Sequence, residues 1–411
     1  MLQSSVSVTN HNQLDIKSFM KYLLLFASLM MCLHSFSQDH EAFAYTKREG
    51  GSLKLYWNEK VLNEVQADLL YSFSIEEGYL VTLDQMRVLR IFDPKGKKLI
   101  QRPLVARYSL SKNYLSIEIS SGDIEVYSLA KEGVDLVKTQ RMNSRAEVSD
   151  FFFAVFDRQG KLSLNESCGI DQLCPLMPSL LARSAQISNH FVLVHKNDSL
   201  SVLYNDLNEH LYSGTVHKAK ISDHFAALVT DRDGLELYLR TGELYRSFQV
   251  DDIKVEQNFV SFEENGDLVV INRWGRVLRK PLSMVSDVKA MGDYLVIFNH
   301  FRQPAVYNTD LEITLQKPMT VQRSWMSDQG VLWQYAPGRL QSIHKSGLTG
   351  NFSYQNGEQL QLGGEIIAFY HPQLRRLRLF SLRTGQSLKQ VDDVQEVSLP
   401  SSRTMRLFQE F

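Results

Sequence analysis

The chain has 411 residues, of which 44% are hydrophobic and 22% charged, and its net charge is −1. That length is ample to bury a core and long for one compact domain without internal repetition. The balanced charge argues against nucleic acid as a partner, because such binding is driven by counterion release from a basic surface. Aromatic residues make up 10% of the chain, many in strand-like runs such as Phe151-Phe152-Phe153-Ala154-Val155-Phe156, which suits a protein built of sheets.

From the N-terminus, Met20-Lys21 precedes an apolar run from Tyr22 to Leu33 and then Ser35-Phe36-Ser37-Gln38. A positive start, a short apolar core and small residues at −3 and −1 form the layout of a cleavable signal peptide over residues 20–37, with cleavage expected after Ser37. The apolar run is about 12 residues, short of the ~20 that span a bilayer as a helix. Residues 1–19 read as a non-translated or disordered extension ahead of a true start at Met20. A signal anchor is the rival reading. A lipid anchor on Cys32 is disfavoured by Met31, where lipoprotein signals require a small residue.

Past the signal, a strand–turn–strand unit returns about every 36 residues. Its turns fall near Glu59, Gly96, Gly133, Gly160, Asp206, Gly242, Gly275, Asp310, Gly347 and Gly385. The steps on either side of Gly160 are unequal, one short and one long, yet together they span two ordinary periods. Many turns are preceded by a second apolar strand opening on an aromatic residue, as in Tyr79-Leu80-Val81, Phe225-Ala226-Ala227, Phe259-Val260-Ser261 and Tyr294-Leu295-Val296. Each period has room for four short strands, which is the content of one propeller blade.

On these units the chain resembles bacterial β-propeller repeat proteins of the WD40-like and quinoprotein-like kind. Asn272-Arg273-Trp274-Gly275-Arg276 is similar to the Trp-Gly step of WG-type repeats, in this one unit only. The resemblance covers roughly residues 50–400 and is one of architecture. It implies an all-β disc of about 8–10 four-stranded units around a central channel, occupying residues 38–411, and it implies no activity. Ring closure normally joins the two chain ends in one blade, since an open edge invites aggregation. Leu53–Trp57 and Met405–Phe408 are the segments expected to do this.

One stretch, residues 167–186, breaks the pattern. It carries Cys168 and Cys174, the two cysteines left after signal removal, and reads as an inserted loop closed by a disulfide in an exported chain. Its prolines and the Leu180-Leu181-Ala182-Arg183 run suggest a short helix capped by Ser179.

Candidate chemistry is sparse. No nucleophile elbow, phosphate loop, dinucleotide fingerprint or zinc-protease helix occurs, so no catalytic residue, cofactor or metal is assigned. Thr230-Asp231-Arg232-Asp233-Gly234 has the look of a calcium-loop fragment but lacks the distal acid, and an Asp-Gly hairpin explains it. His190, His195, His210, His217 and His224 lie in strand-like sequence whose spacing scatters them, which does not make a zinc site. Two basic clusters stand out: Arg273, Arg276, Arg279 and Lys280, taken as the candidate binding residues for an acidic glycan, a phosphate group or a protein, and Arg375, Arg376, Arg378 and Arg383. Solvated strand edges account for both as well. Asn165, Asn197 and Asn351 begin Asn-x-Ser sequons.

The reading that results is an exported β-propeller scaffold, periplasmic or secreted after signal cleavage. It binds an envelope or extracellular protein or a glycan and has no membrane-spanning segment in the mature chain. The alternatives are a polysaccharide hydrolase or lyase with carboxylates at the channel, and a structural subunit of an envelope assembly.

Overall fold

A computed structural model describes residues 42–400, apart from 131–132, 141–144, 158, 170–171, 176–178, 207–208, 231–233 and 249. Ten antiparallel sheets succeed one another along the chain. Blade 1 comprises Ala44–Glu49, Ser52–Trp57 and Lys60–Val61, and blades 2 to 10 begin at Leu70, Val105, Arg145, Ser184, Val216, Val250, Asp287, Arg323 and Gln359. Within eight of the sheets the strands pair in chain order as a meander, blades 1 and 4 departing from it as described below. In blades 2 to 10 the first strand lies innermost, and first strands from successive blades line a common channel.

Ten hydrophobic clusters hold the ring, one at each interface between neighbouring blades. Blades 6 and 7, for example, share Phe225, Leu235, Leu237, Val260, Phe262 and Val269. The last blade packs on the first through Tyr45, Tyr56, Ile366, Leu377, Leu379 and Val394. The physical reason is the sheet's period of two: residues alternate between its two faces, and each face must be covered by a neighbour. Second strands, flanked on both faces, read as nearly continuous apolar runs; Tyr294–Phe298 is buried throughout.

The ring closes by sharing a blade between the chain ends, as expected, but with a different segment. Val394–Ser398 is the innermost strand of blade 1, pairing Tyr45↔Val397 and Thr46↔Glu396. Met405–Phe408 lies outside the described residues. Val394 and Val397 are both buried, so the strand is fixed by the apolar contact between blades 10 and 1 as well as by its ladder. Phe43 and Pro400, at the two described ends, emerge on the same side of the disc: Phe43 exchanges hydrogen bonds with Asn58, and Pro400 bridges to Ile75 at the top of the first strand of blade 2.

Four-strand meanders put two kinds of turn on each side. The upper face carries the turns between strands one and two and between three and four. The lower face carries the turns between two and three and the crossings to the next blade. Most of the turns noted in the sequence join strands three and four, and their chemistry repeats. An Asx side chain at the strand end accepts the N–H groups two and four residues on, as Asp93 Oδ1 does from Lys95 (2.9 Å) and Lys97 (2.8 Å). The fourth turn residue then adopts positive φ, which Gly96 (83°) and Gly275 (81°) supply without strain.

Gly160 is the exception in placement. It sits between the second and third strands of blade 4, Phe153–Phe156 and Lys161–Gly169, where Asp157 Oδ1 makes the same bonds to Gln159 and Lys161. The turn between strands three and four of that blade falls between Gly169 and Gln172. Moving the mark there evens the two irregular steps, and the units number ten.

The helix expected after Ser179 is absent; Leu180–Leu181 is a short strand paired with Lys161–Leu162. Gln172–Pro175 pairs further along the same third strand, so the outer strand of blade 4 is broken in two. Proline is tolerated there because the outer strand has a free edge. Backbone pairing sets Cys174 opposite Glu166, with a register shift at Cys168; the side chains of both cysteines lie outside the described residues, as does the 20–37 segment. No helix among the described residues is long and apolar enough to cross a membrane.

Candidate functional site

The four candidate basic residues separate when folded. Asn272 Oδ1 accepts the N–H groups of Trp274 and Arg276, which makes a tight turn on the upper face of blade 7. Arg273 lies over the Trp274 ring, 4.6 Å from its centroid, and donates to Asn258 Oδ1 at 3.2 Å. Arg276 pairs with Asp310 of the blade 8 turn at 3.2 Å. Arg279 stands along the outer strand Val277–Pro281, paired with Glu264 at 2.6 Å and donating to the Tyr245 hydroxyl. Lys280, next on that strand, is opposite Leu268. Arg273 and Arg276 therefore share the upper face, while Arg279 and Lys280 line the disc's flank.

The second cluster divides likewise. Arg378 grips Glu358 through two nitrogens and lies over Phe369 and Phe380, and Arg376 pairs with Asp392. Arg375 is in the turn at the lower end of blade 10 and Arg383 in the turn at its upper end. The histidines find separate partners: His190 Nδ1 meets Asp206 at 2.5 Å and His195 Nδ1 meets Ser201 at 2.7 Å. Burial drives the His224 imidazole down to about 4, with Arg273 adding to the effect. Among the described residues no three His, Cys, Asp or Glu side chains converge on a metal position. Residues 231–233 of the Asp-Gly segment lie outside the described residues, and the flanking strands pair as a hairpin, Val229↔Leu235.

The geometry draws attention instead to the channel, which opens into cavities of about 790 Å³ and 690 Å³ on its two sides. The first cavity is walled by the inner strands of blades 3 to 7. Strand alternation sorts their residues: Ile221, Val255 and Ala290 pack between blades, and the residues beside them face the channel. Pairing with the second strand sets their height. Ser109↔Ser116, Glu147↔Ala154, Gln186↔Leu193, Lys220↔Ala227, Lys254↔Ser261, Lys289↔Val296 and Trp325↔Leu332 occupy one register. With Gln361↔Ala368, Glu396↔Thr46 and Ser74↔Val81 in the same register, these residues form a ring at a single level.

The sequence reading did not weigh this ring, yet its signal was present. Its lysines precede the residue opening the second strand by the same step, as Lys220 does Phe225, Lys254 does Phe259 and Lys289 does Tyr294.

Of the four carboxyl residues that line the first cavity, Glu118, Glu147, Asp223 and Glu256, two stand out: Glu147 in the ring and Glu256 in the upper turn of blade 7. Burial raises both. Glu256 reaches about 7, partly opposed by Lys220 and Lys254. In the unfolded chain such a carboxyl titrates near 4.5. The folded protein keeps a proton that the unfolded chain releases between those values, so stability falls as pH rises through this window and the deficit is complete above it. Glu256→Gln is expected to stabilise the protein by about 1–2 kcal/mol near pH 8, after allowing for solvent screening, and by almost nothing near pH 4. Urea unfolding at both values checks this.

Ten blades around a lined channel, closed by a shared blade, define this chain as a β-propeller. No protein-family model and no curated protein matches it. Among solved structures it is similar to BamB from Moraxella catarrhalis, at 11% identity over 69% of this chain and 96% of that one, with a TM-score of 0.32. It is similar to apo AztD from Citrobacter koseri at 9% identity over 87% and 97% (TM-score 0.33), and to Kluyveromyces lactis Hsv2p at 10% over 61% and 97% (TM-score 0.29). The fold rests on the sheet pairing described above rather than on these matches.

Proposed function

We propose that the protein is an exported β-propeller scaffold of the bacterial envelope or exterior that docks a partner protein on its lower face. The observation that carries this is an apolar patch across blades 2 and 3. Leu69 and Tyr71 stand where the chain enters blade 2, Met86 in its lower turn, and Leu104 at the crossing to blade 3. Tyr71, Met86 and Leu104 are 76%, 71% and 62% exposed. Backbone hydrogen bonds tie the segments together, Gln85 N–H to Leu69 O and Val105 N–H to Arg87 O. Large apolar side chains grouped in water mark an interaction surface more often than an idle one. Met284, Phe301 and Leu374 extend the same character around the lower face. Export is supported by the layout of residues 20–37, which predicts a mature N-terminus near Gln38.

Photo-crosslinkers placed singly at Met86, Leu104 and, for contrast, Trp274 test the docking face in native envelope and secreted fractions. The expected result is one shared protein product from positions 86 and 104 that is at least tenfold weaker from 274. Paired Met86→Glu and Leu104→Glu substitutions should abolish its recovery. Equal products from all three positions would overturn the reading. The second reading, a polysaccharide-active enzyme, is favoured by Glu147 and Glu256 bordering one cavity with both carboxyls held toward the neutral form. Depolymerisation that is lost in Glu256→Gln would establish it.

A further inference from the structure

Several arginines of this disc are closed off by a carboxylate, as Arg102 is by Glu125, Arg279 by Glu264 and Arg378 by Glu358. Two neighbours on the upper face differ. Arg240 stands second in the turn between strands three and four of blade 6, and Arg273 holds the same place in blade 7. Each turn is tied to the inner hairpin of its own blade. Arg240 N–H donates to the His224 carbonyl at 2.9 Å, and Arg273 N–H to the Asn258 carbonyl at 3.0 Å. The blade 7 turn also rests on the blade 6 turn, with Gly275 against Glu243 and Leu239. Burial, then the charges of Arg273 and Arg240, keep the His224 ring neutral, so the three side chains gather over the seam between the blades.

Their donors are largely unused. Arg273 donates to the neutral Oδ1 of Asn258 at 3.2 Å, while its Nε is buried without an acceptor among the described residues. Arg240 is exposed, and among the described residues neither its guanidinium nor the His224 ring forms a hydrogen bond. The carboxyl groups nearby lie elsewhere in the network. Asp223 accepts the backbone and side-chain N–H groups of Asn189 at 2.9 Å and 3.0 Å, and Asp206 meets His190. Asp293 accepts from Asn258, and Glu243 lies on Gly275 without an ion pair to either arginine.

A half-buried guanidinium with an unfilled donor is costly, and an incoming oxyanion supplies the missing acceptors. Guanidinium forks fit the oxygens of carboxylates and phosphates alike. Here two forks and an imidazole N–H come from three side chains, more than the two oxygens of a carboxylate take up. A phosphoryl group carries three terminal oxygens. Beside it Trp274, half exposed beneath Arg273, offers an apolar surface to whatever the phosphoryl group is attached to.

We propose that the upper face binds a phosphoryl group at the seam of blades 6 and 7, with Arg240 and Arg273 on its terminal oxygens and His224 donating a further bond. This site lies on the opposite face from the docking patch, and either can fail without the other. Free phosphate, a soluble sugar phosphate and a phosphatidate headgroup all present this chemistry.

Titration calorimetry of the full chain at neutral pH tests the proposal with inorganic phosphate, glucose 6-phosphate, a soluble short-chain phosphatidate and, for contrast, succinate. The expected result is that at least one phosphoryl probe binds and that succinate binds at least about tenfold more weakly. Arg240→Gln and Arg273→Gln should each lower the affinity for the best phosphoryl probe about tenfold. Arg276→Gln, in the blade 7 turn but paired with Asp310, should leave it unchanged. Whichever phosphoryl probe binds most tightly keeps the proposal and identifies the source of the group. The His224 ring gives an independent readout: a bound dianion favours imidazolium, so its NMR titration should move up from about 4 when that probe is added. No binding by any phosphoryl probe, equal binding of succinate, equal loss in Arg276→Gln, or an unmoved His224 titration would overturn it. Urea midpoints of the arginine variants separate lost binding from lost folding.

Discussion

A chain truncated after Asp393 should not form a stable ring. Val394–Ser398 is the innermost strand of blade 1, and Ala44–Glu49 is its ladder partner. Removing it strips the ladder from one edge of blade 1 and uncovers Tyr45, Tyr56, Ile366, Leu377 and Leu379 between blades 10 and 1. Val394 and Val397 alone represent about 1.5–3 kcal/mol each of apolar burial. The newly bare strand edge is a template for intermolecular pairing. The expected outcome is loss of the cooperative urea transition and soluble aggregates on size-exclusion chromatography. A milder change, Val394→Asp, places a charge in the same cluster and should cost at least about 3 kcal/mol. A truncated chain that unfolds at the urea midpoint of the full chain would show that blades 10 and 1 close the ring without this strand.

Trp57→Ala is expected to cost about 4 kcal/mol, the range for emptying a buried large aromatic site. Trp57 is fully buried between blades 1 and 2 with Leu62, Val65, Ala67 and Phe92. Its Nε1–H donates to the Asp93 carbonyl of the blade 2 turn at 2.8 Å, so the side chain bolts neighbouring blades together. Trp333 supplies a control. It is equally buried between blades 8 and 9, but its indole nitrogen has no hydrogen-bond partner among the described residues. Trp57→Phe therefore removes a hydrogen bond that Trp333→Phe does not, leaving the Asp93 carbonyl with the Gly96 N–H of its own turn at 2.9 Å, and should be the more costly by about 1 kcal/mol. Equal costs in paired urea titrations would show that the bond to Asp93 contributes nothing net.

Much of this architecture is legible in the chain because its punctuation is chemical. An Asx residue followed three positions on by a residue at positive φ makes the same turn wherever it occurs, and glycine at that position makes it readable. Where Arg87 (59°), Arg302 (57°) or Leu311 (62°) fills the position the turn forms all the same, and only the sequence signal is lost. The same chemistry explains the misplaced fourth mark. Asp157-Arg158-Gln159-Gly160 is a proper Asx turn between strands two and three, so the motif identifies a hairpin without identifying which one.

The closing strand was hard to recognise because Val394-Gln395-Glu396-Val397 is short and polar between its two buried valines. The channel lysines were invisible for a different reason. Lys220, Lys254 and Lys289 are far apart in sequence and read individually as solvated strand residues. Only the register against the second strands shows them to be level. Arg273, Arg276, Arg279 and Lys280 show the converse, since neighbours in sequence part company between the disc's upper face and its flank.

The two described chain ends leave from the same side of the disc, Phe43 beside Asn58 and Pro400 beside Ile75. Anything joined directly at residue 42 or residue 400, whether an affinity tag, a fusion partner or a surface tether, consequently leaves from the side of the upper mouth. Every copy held that way stands with Met86 and Leu104 turned outward, like plates fixed by their backs. On a sensor chip the terminal tag would thus leave the apolar patch open to partners while crowding one entrance to the channel. Attachment through the outer rim would reverse that preference, so the choice of attachment point decides which surface such an experiment can see.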